Sequence, residues 1–173
     1  MALARSERSL VAAARRGNRD AIEELLRRYQ AALYRVAFGV TGSRAGALDV
    51  VQDVFLKVFQ HFQYDGRSKF HTWLHRVTAN EALNWRKRER FDEPPLEIEA
   101  AAEMPWPAPD AERTAITKQE LARLLALMDR LNETERQAIT LRYFEGCSVG
   151  EIAEALEMSE AVTSTTIFRA RQK

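Results

Sequence analysis

The sequence has a single cysteine, Cys147, so an internal disulfide is excluded, and a lone thiol fits a reducing cytoplasm. No apolar run approaches the ~20 residues of a membrane span, so no membrane insertion is expected. The opening MALARSERSLVAAARRGN is broken by charges and lacks the unbroken apolar stretch of a signal peptide. Glycine is scarce, at 7 of 173 residues, and no glycine motif that would cradle a phosphate is present. Histidine is rarer still. His71 and His75 sit four apart, but no third metal ligand lies near them in sequence, and they read as a pair of surface histidines rather than a metal site. His61 stands alone. Cys147 follows Gly146 at a helix end and reads as a small buried residue, not a nucleophile. Asp49 and Asp53 share a helical face, but nothing else converges on them. Catalytic residues, a metal and a cofactor are therefore all absent from this reading, and the chain is not expected to be an enzyme.

What is present is helix-forming. Hydrophobic residues make up 46% of the chain, and Leu, Ala, Arg and Glu dominate, which points to an all-α protein. The net charge of +1 conceals a strong division. Residues 1–91 carry 17 basic and 9 acidic side chains, or +8; residues 92–112 carry 7 acidic and no basic ones; residues 113–173 carry 9 of each. All five prolines fall at 94, 95, 105, 107 and 109. Proline removes a backbone donor and disfavours helix at the residue before it, so 92–112 reads as an acidic, proline-rich linker between two small helical domains, 1–91 and 113–173. A basic module, an acidic tether and a neutral module is a pattern for meeting a polyanion at the front end.

In the first domain a short helix over 6–16 stops at Gly17-Asn18. Asp20 is a candidate cap for the next, where Ile22, Leu25, Leu26, Tyr29, Leu33, Val36, Ala37 and Val40 mark one apolar face. A third helix covers 44–61 with Val51, Val54, Phe55, Val58 and Phe59 inward and Asp49, Gln52, Asp53 and Lys57 outward. After a loop at 63–68 comes a long helix in which Phe70, Trp73 and Trp85 alternate with Arg76, Arg86, Lys87, Arg88 and Arg90. Cations hold phosphates and flat rings stack on unpaired bases, so this surface suits opening DNA. The same residues equally describe a core helix with a solvated basic end, and Trp73 in particular has a core alternative beside Leu74. In the second domain a helix covers 114–131, Asn132 with Glu135 opens another, and Ser148 with Glu151 forms a capping box. A short helix over 149–156 and a last one from Ser159 have the spacing of a helix-turn-helix, with an ordinary helical hairpin as the alternative.

Two segments, DVVQDVFLKVFQHFQYDGRSKFHTWLHRVTANEALNWRKR at 49–88 and LNETERQAITLRYFEGCSVGEIAEALEMSEAVTSTTIFRARQK at 131–173, together resemble the bacterial RNA polymerase sigma factors of the extracytoplasmic-function (ECF) type. The first is similar to the family's second region and the second to its fourth. The resemblance implies a factor that binds core RNA polymerase and directs it to promoters. Asp49, Gln52, Asp53 and Leu56 would contact the clamp of the largest subunit, and the flap of the second-largest subunit is a further implied partner. Phe62, Tyr64, Arg67, Ser68, Lys69, Phe70, Trp73, Arg76, Asn80, Asn84, Arg86 and Lys87 would open and hold the −10 element. Asn80 is suited to a flipped base because its amide both donates and accepts; its alternative is a plain solvent-exposed asparagine. Ser148, Ser159, Glu160, Thr163, Ser164, Thr166, Ile167, Phe168, Arg169 and Arg171 would serve the −35 element. An anti-sigma factor is the implied regulator. A stand-alone helix-turn-helix regulator of duplex DNA is the other reading. The chain departs from the family pattern at Leu48, where an acidic residue is usual. It also departs at Glu157-Met158, where glycine is frequent, and at Ser164 and Thr166, where Lys or Arg is usual. With those cations missing, upstream recognition is expected to rest on backbone contacts and DNA shape.

Overall fold

A computed structural model describes residues 6–89 and 118–173, and they form eight helices, with no strand among the described residues. The expected linker at 92–112 lies outside the described residues. In chain order the helices are α1 (Glu7–Arg15), α2 (Arg19–Thr41), α3 (Arg44–Gln60) and α4 (Phe70–Glu89), then α5 (Lys118–Asp129), α6 (Glu133–Tyr143), α7 (Val149–Ala155) and α8 (Glu160–Arg171).

The starts are set by side chains that accept orphan backbone N–H groups. Ser6 accepts from Ser9, Ser43 from Gly46 and Ser159 from Val162. Asn132 with Glu135 and Ser148 with Glu151 each complete a reciprocal capping box. The cap of α2 is Asn18, which accepts from Ala21 at 2.9 Å. Asp20 therefore does not cap, because the chain has already turned helical at Arg19; it faces solvent in the first turn. Gly42, at φ 72°, ends α2 in the left-handed region that glycine enters without strain.

Helices α1–α4 form one bundle around Leu10, Leu25, Leu33, Val50, Val54 and Leu74. At Gly46 the ring of Trp85 lies where a side chain would start, 2.5 Å from an added Cβ, so α3 and α4 approach closely. Helices α5–α8 pack around Met128, Ala138, Leu141, Ile152 and Ile167. The two modules share a core. Val36 of α2 and Ala79 of α4 are fully buried and belong to the second module's apolar cluster. At the crossing of α2 and α6, a Cβ added to Gly39 would stand 2.5 Å from Cγ2 of the buried Thr140. Arg136, 1% exposed, donates from Nη1 to the carbonyl of Val40 at 3.0 Å, from Nε to that of Met128 at 3.1 Å, and from Nη2 to Asp129. Val40 lies in the last turn of α2, where carbonyls have no intrahelical partner, so a buried cation of the second module completes a helix end of the first.

Candidate nucleic-acid and polymerase interface

The aromatic residues at the start of α4 form a cluster that looks inward. Phe70 and Trp73 are 3% and 6% exposed. Ring centroids lie 5.8 Å apart for Phe62 and Trp73 and 5.3 Å apart for Tyr64 and Phe70, and Tyr29 closes the cluster edge-on to Phe70. The Tyr64 hydroxyl donates to the carbonyl of Ser68 at 2.5 Å and ties the loop to the helix. Rings held this way cannot stack on a base without repacking, so the expected DNA contacts of Phe70 and Trp73 are corrected to core positions. Trp85 is likewise held against Gly46. Asn80 and Asn84, by contrast, are exposed on one face of α4.

The cations expected to hold DNA are accounted for, and most partners are in the other module. Lys69 pairs with Glu151 at 2.9 Å, Arg76 with Glu157 at 2.9 Å, Arg86 with Asp129 at 3.1 Å and Lys87 with Glu133 at 3.1 Å. Only Arg67 of the set pairs locally, with Asp65 at 3.3 Å. Glu151 is pulled down to about 2, first by the hydrogen bond from Lys69 and then by the backbone of Ser148, so it stays ionised. Second-module carboxylates thus neutralise these first-module cations. Exposed ion pairs contribute little each, about 0–1 kcal/mol, so they cover the surface without locking it.

Behind this shell lies a buried polar cluster. His75 is 5% exposed, its Nδ1 is 3.7 Å from the Cys147 sulfur, and its Nε2 is 3.9 Å from Glu145. The surface reading of His75 is therefore corrected; the second module covers it. Burial first, then the neighbouring His71 and Arg35, push its pKa down to about 4, so the ring is neutral. Arg35 donates to both oxygens of Glu145, whose carboxyl is nevertheless raised by burial. Burial also lifts the Cys147 thiol to about 11, which leaves it protonated and unreactive. Among the described residues no group of three or more His, Cys, Asp or Glu is placed to hold a metal.

On α3, Asp49, Gln52, Asp53 and Leu56 all face solvent, with Leu56 55% exposed. Leu56 borders a groove of about 370 Å³ between α2 and α3, lined also by Leu26, Phe55 and Phe59. Leu48, the departure from an acidic residue, is exposed beside them. A second apolar groove, about 560 Å³, runs between α5 and α6 past Leu124, Leu127, Leu131, Ile139 and Tyr143.

Helices α7 and α8 form the helix-turn-helix. The turn between them holds Glu157 at φ 55°, the one non-glycine residue with positive φ among the described residues. This is where a glycine would sit without strain. On α8, Ser164, Phe168, Arg169 and Arg171 are exposed, as is Glu160 at its start. Thr163 and Ile167 are buried in the module core, at 0% and 8% exposed, and are corrected from DNA contacts to packing residues. Ser148 and Ser159 use their side chains as caps. Val162, 53% exposed, was absent from the expected set. So were Gly39, Thr140 and Arg136, whose role depends on contacts between modules and leaves no local signal.

The Sigma-70 region 2 profile matches residues 25–91, and the Sigma-70 region 4 profile matches residues 121–173. The sigma-E factor of Haemophilus influenzae, an ECF RNA polymerase sigma factor, is 31% identical, over 96% of this chain and 92% of its own. This chain is an ECF sigma factor. SigE of Mycolicibacterium smegmatis is 31% identical over 87% of this ECF chain, which spans 59% of that protein's length. The solved complex of CnrH with the cytosolic domain of CnrY has the same fold, with a TM-score of 0.71 and 28% identity over 96% of this chain and 92% of CnrH. Within the sigma fold, α3 and α4 belong to region 2, and α7 and α8 to region 4.

Proposed function

We propose that this chain binds core RNA polymerase, carries it to promoters with −10 and −35 elements, and promotes their opening. The observation that carries the reading is the presence of both sigma regions, in order, on one chain. The exposed row Asp49, Gln52, Asp53 and Leu56 offers the largest subunit's clamp a mixed acidic and apolar face. The groove between α5 and α6 offers the flap of the second-largest subunit an apolar seat. Asn80 and Asn84 remain exposed for the displaced strand. Because Lys69, Arg76, Arg86 and Lys87 are paired across the modules, promoter binding follows separation of the modules on polymerase. CnrH is solved with a second protein bound; for this chain an anti-sigma factor is the corresponding partner, one that holds the closed form. Soluble action beside polymerase in the cytoplasm follows from the same reading, and no described helix is long and apolar enough to cross a membrane.

Run-off transcription tests the reading. Core polymerase with this chain should initiate on templates carrying a randomised upstream region, and core polymerase alone should not. Specific, tight binding of the free chain to duplex DNA at physiological salt, with no stimulation of core polymerase, would favour the stand-alone regulator instead.

A further inference from the structure

A helix-turn-helix reads bases with the outward face of its second helix. On α8 the buried stripe is Thr163, Ile167 and Ala170. The opposite face, at helical spacing, carries Ala161, Thr165 and Phe168, flanked by Val162. Phe168 and Val162 are 63% and 53% exposed, an unusual display of large apolar side chains in the first three turns of a reading helix. The threonines add to it. Thr165 donates its hydroxyl to the carbonyl of Ala161 at 2.9 Å, and Thr166 donates to that of Val162 at 2.9 Å. Their protons are engaged by the helix itself, and what remains to offer a base edge is a methyl group and an oxygen that can only accept. The residue types that grip a base with two hydrogen bonds, Arg, Lys, Asn and Gln, are missing from the first two turns. Arg169 and Arg171 come only at the end of the helix, where they suit phosphates.

We infer that α8 reads thymine 5-methyl groups: the −35 element of this factor contains consecutive A·T pairs whose methyls pack against Ala161, Val162, Thr165 and Phe168. The major groove displays that methyl on every A·T pair, and alanine, the threonine methyl and phenylalanine are the side chains that contact it. The span agrees. Ala161 to Phe168 is seven helical steps, roughly 10 Å at 1.5 Å per residue, and base pairs stack at about 3.4 Å, so the stripe faces about three pairs. A purely shape-read element would need none of this apolar display. The inference rests on the sigma reading of the helix-turn-helix.

The test removes the methyl from the DNA and leaves the protein folded. Holoenzyme made from core polymerase and this chain selects templates from a library with a randomised upstream region, scored by transcript. The recovered duplex is then synthesised with deoxyuridine in place of single upstream thymines. Each contacted position should lose about fourfold in holoenzyme affinity, the worth of one buried methyl. With Phe168→Ala or Thr165→Ser, the uracil effect should vanish at one position and persist at the others. Transcripts from templates that tolerate uracil throughout overturn the inference and leave the sigma reading standing. Recovery of an upstream element dominated by G·C pairs does the same. Absence of any transcript overturns both.

Discussion

Replacing Gly39 by alanine should open the closed arrangement while leaving each module folded. Gly39 lies inside α2 with ordinary helical geometry, and a Cβ there would meet Thr140 Cγ2 at 2.5 Å, Oγ1 at 2.7 Å and Cβ at 3.2 Å. Carbon atoms settle at about 3.5–4.0 Å. Rotating the Thr140 side chain removes the first two overlaps but not the third, so α2 and α6 must part by some fraction of an ångström. Forcing a methyl into such a contact costs about 1–3 kcal/mol. Alanine also favours the helix over glycine by about 1 kcal/mol, which acts on the first module alone. The two effects have opposite signs and different readouts. Cys147, the single thiol, is 6% exposed between the modules, so its rate of labelling by a disulfide reagent reports opening. A shift of 1–3 kcal/mol in the opening equilibrium is about 5- to 150-fold in that rate. Thermal melting of the first module should hold or rise. Adding Thr140→Ala should restore much of the protection, because it removes two of the three contacts. Labelling that stays at the wild-type rate in Gly39→Ala would refute the claim that this crossing holds the modules together.

Acid should open the same interface. His75 is held near 4 against an ordinary 6.5, so closure is fully supported above pH 6.5 and weakens as pH falls toward 4, by on the order of 2 kcal/mol at pH 5; the carboxyl of Glu145, raised by burial, acts with the opposite sign. Cys147 protection measured against pH, with and without His75→Leu, checks this, since the variant should flatten the profile. Asp49→Arg or Asp53→Arg should abolish capture by core polymerase, with stability changed by no more than about 0.5 kcal/mol because both side chains are exposed; a pull-down and a melting curve together decide. Asn80→Ala should assemble normally with polymerase but give a weaker permanganate footprint over the opened −10 element. Glu157→Gly should relieve a left-handed residue worth about 1 kcal/mol or more and raise the melting temperature, while releasing Arg76 from its 2.9 Å partner.

The elements were legible because each signal was local. Apolar spacing fixed the inward face of α2, and Ser148 with Glu151 announced α7 before the helix began. Asn18 rather than Asp20 became the cap because two capping side chains competed within one turn. At the site the outward residues of α3 were readable from the same periodicity, since a face not needed by the core is left to solvent. Phe70 and Trp73 were ambiguous in sequence because an aromatic residue in a basic helix looks alike whether it meets bases or Phe62 and Tyr64. Thr163 and Ile167 were misassigned because α8 has almost no apolar asymmetry to mark its inner stripe. The ion pairs between modules join residues some 40 to 80 positions apart, and no short-range pattern carries such a pairing.

The carbonyl of Val40, bound by both Arg86 and Arg136, gives the closed chain a recoil. A chain extended on polymerase leaves that helix end without Arg136, the cation that comes from the second module, and leaves Val36 and Ala79 uncovered. After dissociation these buried contacts favour return of the two modules to the closed arrangement. The apparent affinity for polymerase equals the intrinsic affinity scaled by the small open fraction. Each 1.4 kcal/mol of closure makes the factor about tenfold easier to displace. In a cell where several such subunits compete for a limited pool of polymerase, the strength of this internal contact sets how long a response outlasts its signal.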